Sequence, residues 1–175
     1  MFDKTSLMRP APVVAPALLG WRLCANGVTG IIAETEAYHG EEDLACHAAK
    51  GHTPRTATHY GPPGTLYVYL CYGMYHLLNL VTDIEGVPSA VLIRGLIIEG
   101  LDQRRSNGPG KVAKLLGATL TLVTTEATKP HLDAYPCVPR IGVEYAGTQW
   151  AAKPWRWWLP GFPAVGTTRR VHDVE

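Results

Sequence analysis

Segment 31–38, IIAETEAY, orders its apolar and polar residues in a way that is typical of a β-strand. Successive side chains of a strand point to opposite faces, so Glu34, Glu36 and Tyr38 share one face. Two acids on an otherwise apolar strand have two explanations: the face is exposed to solvent, or it holds a general base in a cleft. The tyrosines and histidines that follow in the sequence favour the cleft.

Other segments rich in β-forming residues predict a hairpin and further strands. Strands are predicted at residues 66–71 and 77–82, and Gly73 between them indicates a hairpin with Tyr72 near its tip. The remaining predicted strands cover residues 90–94, 119–123, 140–145 and 155–159.

Short helices are predicted at residues 15–19, 43–50 and 109–116. Asp43 is expected to cap the second helix, and Gly117 to end the third. Together these elements predict an α+β fold with a curved, largely antiparallel sheet and flanking helices.

The composition fits one mixed domain over residues 1–175. The chain has a mass of 19.0 kDa and 46% hydrophobic residues, which excludes intrinsic disorder. No apolar run approaches the roughly 20 residues of a membrane helix. The first ten residues, MFDKTSLMRP, have no apolar stretch, so a signal peptide is not expected. The four cysteines lack C-x-x-C spacing. We therefore expect a cytoplasmic protein without membrane association.

Tyrosines are concentrated in one part of the chain, since six of the eight lie between residues 38 and 75. Their flat rings with polar tips suit stacking on a planar heterocycle such as a flipped nucleobase. Packing within the β-sheet core is the alternative explanation.

Two other patterns allow different chemistry. Asp43 and His47 are spaced by one helical turn, as two metal ligands could be, but H-x-H and H-E-x-x-H are absent. Residues 108–111, GPGK, could present backbone amides and a lysine to a phosphate at a helix start, or form a plain turn.

Several motifs follow one another along the chain: ETEAY (34–38), D-x-A-x-H (43–47), TPR (53–55), PGTLYVYLCYGMYHLLN (63–79), AVLIRG (90–95), NGPGK (107–111), IGV (141–143) and AGTQWAAKPWRWW (146–158). In this order they resemble the alkyladenine (3-methyladenine) DNA glycosylase family over about residues 18–158.

The resemblance implies a monofunctional glycosylase of base-excision repair. Such an enzyme flips an alkylated or deaminated purine nucleotide out of duplex DNA and hydrolyses its N-glycosidic bond, leaving an abasic site. It implies no cofactor and no metal, a DNA-intercalating hairpin that protrudes from the domain, and a monomer. In a bacterium the cytoplasmic enzyme is expected to associate with the nucleoid.

The resemblance also assigns roles to individual residues. Glu36 corresponds to the general base that activates water, although spacing alone does not distinguish it from Glu34. Arg94 corresponds to a residue that orients the carboxylate and the water. The main-chain carbonyl of Ile141 corresponds to a group that faces the same water.

Further positions correspond to contacts with the extruded nucleotide. Tyr38, His47 and Tyr69 match an aromatic clamp around the base, and Asn79 matches a residue that crowds the purine 2-amino group. Tyr72 matches the side chain that fills the gap left in the duplex.

The expected DNA-backbone contacts are Arg55, Arg104, Arg105 and Lys111. This chain departs from the family pattern after Arg55, where the usual asparagine is absent, and between residues 100 and 107, where the segment is short.

The formal net charge of +1 hides a separation of charge along the chain. Acids are concentrated at residues 23–49, whereas segments 103–114 and 145–172 are basic and could line phosphates. Two other functions stay open: a damage-binding module without catalysis, and a metal-dependent hydrolase that uses Asp43, His47 and neighbouring histidines.

Overall fold

The protein is described by a computed structural model that covers residues 4–71, 73–117 and 135–164. Within these residues, seven strands form one antiparallel sheet. The strands are β1 (Arg22–Ala25), β2 (Val28–His39), β3 (Leu66–Cys71), β4 (Tyr75–Val81), β5 (Ser89–Ile97), β6 (Cys137–Val138) and β7 (Arg156–Trp158). The fold combines this antiparallel sheet with few helices, which confirms the predicted α+β class.

Strand β2 is the centre of this sheet. The strand order is β3-β4-β5-β2-β7-β6, with β1 also paired to β2. β2 is therefore hydrogen-bonded to β5 on one side and to β7 on the other. A register irregularity at Glu34 interrupts its pairing with β5. The acidic strand found in the sequence thus lies inside the sheet, not at its rim.

Helices α1 (Ala11–Ala17) and α2 (Pro109–Leu116) pack on this sheet, and a short α3 (Gly147–Ala151) follows β6. The hydroxyl of Thr35 donates to the carbonyl of Ala15 at 2.9 Å, which fixes α1 against β2. Buried leucines, valines and isoleucines from both helices and from the sheet form the main core. They include Val14, Leu23, Ile32, Leu78, Leu96, Val112 and Leu116.

The hairpin and the helix at residues 109–116 are confirmed, whereas other elements differ from prediction. Helix α1 begins earlier than residue 15, because Pro12 suits a first helical turn that needs no amide donor. Only His47–Lys50 of the predicted helix 43–50 is helical, as a 3₁₀ turn. Asp43 instead caps a local turn by accepting from the Ala45 amide at 3.1 Å.

The strand predicted at 140–145 is wrong. Gly142 has a φ of 74°, which an extended strand does not permit, and Glu144–Ala146 forms a 3₁₀ turn. The segment is folded back because the Arg140 side chain points inward to a buried acid. The predicted strand 119–123 lies outside the described residues. No helix among residues 4–71, 73–117 and 135–164 is long and apolar enough to cross a membrane.

Gly95 of β5 allows a close approach that supports the acidic strand. A Cβ atom at this position would lie 2.5 Å from ring atoms of the buried Phe162 and 3.2 Å from the Cβ of Glu34. The absence of a side chain therefore lets the Phe162 ring cover the sheet beside Glu34.

We expect Gly95→Ala to lower the free energy of unfolding by about 1–3 kcal/mol, because the added methyl group overpacks this contact. Urea denaturation of the variant measures the loss. In a Phe162→Ala background the same substitution should cost much less, since the obstructing ring is gone. Equal costs in both backgrounds would contradict this explanation.

Candidate active site

A cavity of about 750 Å³ opens beside strands β2, β3 and β4 and the loop at 141–143. Its wall contains six of the residues predicted to act on the base or on water: Tyr38, His47, Tyr69, Asn79, Arg94 and Ile141. They come from distant parts of the sequence, and the antiparallel sheet brings them together. The volume is in the range of typical small-ligand sites.

Glu36 lies directly behind this wall and is fully buried. Its Oε1 accepts from the main-chain amide of Ile141 at 2.9 Å, and its Oε2 accepts from the Tyr38 hydroxyl at 2.8 Å. The guanidinium of Arg94 is 3.2 Å from Oε2. Both hydrogen-bond donors and the paired guanidinium belong to residues of the cavity wall, so the carboxylate is held at its edge in a fixed orientation.

Glu34 is also fully buried, so the interpretation of this strand face as solvent-exposed is wrong. Its Oε1 accepts from Arg94 Nε and from Arg156, each at 3.0 Å. Glu34 is absent from the cavity wall, whereas Arg94 is part of it. Glu34 therefore acts as an anchor for two arginines, one of which bridges to Glu36.

Arg94 joins the two acids of the strand. Burial lowers the pKa of the Arg94 guanidinium, but the carboxylates of Glu36 and Glu34 outweigh burial and hold that pKa above its ordinary value. The cation consequently persists at every pH where the protein is folded. A permanent positive charge between two carboxylates offsets part of the cost of burying them.

Aromatic rings form another part of the wall. The His47 and Tyr69 rings meet edge to face with centroids 4.4 Å apart. Nδ1 of His47 is hydrogen-bonded to the hydroxyl of Tyr67 at 2.9 Å. Burial, followed by the positive charges of Arg55 and Lys50, lowers the pKa of His47. The lowered pKa favours the neutral form of the His47 imidazole at neutral pH.

His59, which also lines the cavity, and Cys46 behind it were not assigned a role at this site by sequence reasoning. His59 is only 3% exposed, its ring lies 4.3 Å from that of Tyr67, and its Nδ1 is 3.6 Å from the sulfur of Cys46. Burial, followed by the nearby His47, lowers the pKa of His59 to about 4. Burial raises the pKa of the Cys46 thiol to about 12. Neither residue carried a motif that distinguished it.

Asp43 and His47 are not brought together as a pair of metal ligands. Both carboxylate oxygens of Asp43 accept hydrogen bonds from Arg140, at 2.6 and 2.9 Å. Asp43 is fully buried and Arg140 almost fully. In the described part of the chain, no three His, Cys, Asp or Glu side chains are grouped as a metal site. No local pattern points to Arg140, since its partner Asp43 lies 97 positions away in the sequence.

The predicted backbone contacts lie in different places. Arg55 and Lys111 line the cavity and are exposed, whereas Arg104 and Arg105 are exposed in a 3₁₀ turn away from its wall. Nζ of Lys111 donates to the carbonyl of Arg104 at 2.7 Å. The cavity wall also includes Asn107 and residues 108–110, where the GPGK segment begins helix α2.

Arg156 is not a surface cation, because it is 4% exposed and paired with Glu34. The expectation that segment 145–172 lines phosphates is therefore wrong at this residue. Arg169 and Arg170 lie outside the described residues. Tyr72 does so as well, between strands β3 and β4 of the hairpin.

Comparison with known proteins identifies the family of this chain. The sequence profile of the methylpurine-DNA glycosylase (MPG) family matches residues 5–163. The chain belongs to the methylpurine-DNA glycosylase family. The resemblance inferred from the ordered motifs is thus confirmed, and the family match covers every described residue of the cavity wall.

Relatives in this family are similar over most of their length. A Myxococcus xanthus protein named "putative 3-methyladenine DNA glycosylase" is 48% identical over 167 residues, covering 86% of this chain and 86% of its own. A Sodalis glossinidius protein of the same name is 45% identical, covering 89% and 95%. One from Wolbachia pipientis wMel is 48% identical, covering 77% and 80%.

His59 predicts a pH dependence of stability. In the unfolded chain this histidine binds a proton near its ordinary pKa of 6.5, but in the folded protein only near 4. The unfolded state binds more protons between these values, so the free energy of unfolding should decrease as the pH falls from about 6.5 to about 4.

We expect His59 to account for about 2–3 kcal/mol of this decrease. His59→Gln should flatten the slope, whereas His76→Gln, which changes an exposed histidine, should not. Urea denaturation at a series of pH values checks this. An unaltered slope in His59→Gln would contradict the assignment.

Proposed function

We propose that this family member is a monofunctional DNA glycosylase that releases damaged purines from duplex DNA. One observation carries the proposal: Glu36 is held by two hydrogen bonds and an ion pair directly behind an aromatic cavity, and all three partners are cavity-wall residues. This arrangement supplies an oriented carboxylate beside a site for a flat heterocycle. The names of the relatives agree with alkylation repair.

In the proposed reaction, Glu36 accepts a proton from water as the water oxygen forms a bond to the sugar C1′. The C1′–N bond breaks, and its electron pair leaves with the purine. Positive charge builds on the sugar, as in glycoside hydrolysis, and the carboxylate stabilises it. Arg94 holds the carboxylate, and the main-chain carbonyl of Ile141 is proposed to contact the water.

The base is proposed to bind between Tyr38 on one side and His47 and Tyr69 on the other. Their rings line the same cavity. Purines alkylated on ring nitrogens carry positive charge, so aromatic faces attract them beyond ordinary stacking. Asn79 is 3% exposed, and its amide donates to the carbonyl of Tyr67 at 3.2 Å, which supports a fixed steric role at the purine edge.

The hairpin of β3 and β4 is proposed to enter the duplex. Met74 and Tyr75 beside the turn are 68% and 56% exposed, so apolar surface is available there. Tyr72 is proposed to fill the gap left by the flipped nucleotide. Arg55, Lys111, Arg104 and Arg105 are proposed to contact the backbone.

Two isosteric substitutions on the same strand test the assignment of the base. We expect Glu36→Gln to reduce base release by about 10²- to 10⁴-fold while damage-specific binding persists, because the amide cannot accept the proton. The matched change Glu34→Gln should lower the free energy of unfolding by about 3–5 kcal/mol, since two buried arginines lose their anchor. The Glu34→Gln variant should release the base at a rate within about tenfold of that of the unmodified protein.

The measurement is abasic-site formation in duplexes that contain hypoxanthine or 3-methyladenine, with and without EDTA. Normal excision by Glu36→Gln would contradict the assignment of the general base. A folded Glu34→Gln variant that loses as much excision activity as Glu36→Gln would contradict it as well. Activity abolished by EDTA would favour the metal-dependent alternative. Specific binding without excision by the unmodified chain would favour the binding module.

A further inference from the structure

A stack of alternating rings and cations extends from the cavity wall to the half-buried Trp155 and Trp150. The guanidinium of Arg140 lies 4.9 Å from the centroid of the Tyr38 ring and 5.1 Å from that of Trp155. The ammonium of Lys153 lies 4.6 Å from the Trp155 ring and 4.3 Å from the Trp150 ring. Tyr38 lines the cavity, whereas Arg140 does not. The Tyr38 ring therefore separates a buried cation from the cavity.

Arg140 is fixed in this position by several bonds. It donates to both carboxylate oxygens of Asp43, to the carbonyl of Ala37 at 3.0 Å and to that of Trp150 at 3.2 Å. Asp43 also accepts from the Ala45 amide. With this geometry, Asp43 is the negative charge closest to Arg140 among the described ion pairs.

The charge behind the Tyr38 ring matters for the ligand in front of it. A cation on one face of an aromatic ring weakens the attraction of the other face for a second cation. It also repels that second cation through the low-dielectric interior. A neutral heterocycle on the same face experiences neither effect to a comparable degree.

We propose that Asp43 is a specificity-determining residue, which neutralises Arg140 so that the cavity face of Tyr38 can hold a positively charged purine. This inference rests on the proposed function, since it requires the base to contact Tyr38. Asp43 touches no base and acts through Arg140 and Tyr38. Its effect is therefore selective: it favours cationic lesions over neutral ones.

The test compares excision of a cationic lesion, 7-methylguanine, with excision of a neutral one, hypoxanthine, in the same duplex sequence. Asp43→Asn keeps the side-chain shape and removes the charge. We expect the ratio of kcat/KM for 7-methylguanine to that for hypoxanthine to fall about tenfold. Arg140→Met removes the cation instead and should move this ratio in the opposite direction.

Two controls separate charge from packing. Asp43→Glu keeps the charge but disturbs the packing, and it should leave the ratio within about threefold of the unmodified protein. The neutral double variant Asp43→Asn with Arg140→Met should also restore the ratio, because no charge then lies behind the ring. If Asp43→Asn does not fold, Arg140→Met is compared with the double variant instead. The proposal then predicts a higher ratio for Arg140→Met, because the charge of Asp43 remains behind the ring only in that variant.

Equal losses for both lesions in folded Asp43→Asn would overturn the proposal and leave a structural role. An unmodified chain that releases neither base would instead contradict the proposed function itself. Circular dichroism and thermal unfolding of each variant identify the folded ones.

Discussion

Three carboxylates and three arginines are buried together beneath the cavity, and the remaining structure depends on their pairing. They are Glu34, Glu36, Asp43, Arg94, Arg140 and Arg156. An unpaired charge in such an interior costs several kcal/mol, so each group constrains the position of its partner. The network connects β2 to β5, to β7 and to the loop before Ile141. It thereby fixes the strands that carry the cavity wall.

The same pairing gives the two strand acids different environments. Glu34 lies off the cavity wall and is paired with two arginines, whereas Glu36 receives its hydrogen bonds from the wall itself. A carboxylate whose donors all come from a binding cavity is preorganised for charge that develops inside it. Asp43 and Arg140 extend this arrangement behind the Tyr38 ring, where their pairing is proposed to tune the electrostatics of the face toward the cavity.

Local pattern was sufficient for much of the fold. The alternation in 31–38, the β-rich segments around Gly73 and the stripe of helix 109–116 each carry their own signal, because neighbours in sequence determine them. The strand predicted at 140–145 failed because a long-range ion pair overrides its propensity. The burial of Glu34 and Arg156 could not be predicted from local sequence either, because the two paired residues lie 122 positions apart. The family resemblance located the cavity residues, but His59, Cys46 and Arg140 emerged only from three-dimensional contacts.

The most direct test of this account is a crystal structure of the Glu36→Gln variant bound to a duplex that contains hypoxanthine. We expect the damaged nucleotide outside the helix, with its base between Tyr38 and the rings of His47 and Tyr69. Its sugar C1′ should face the side chain at position 36. A damaged base that stays stacked in the duplex, or that binds away from this cavity, would contradict the account.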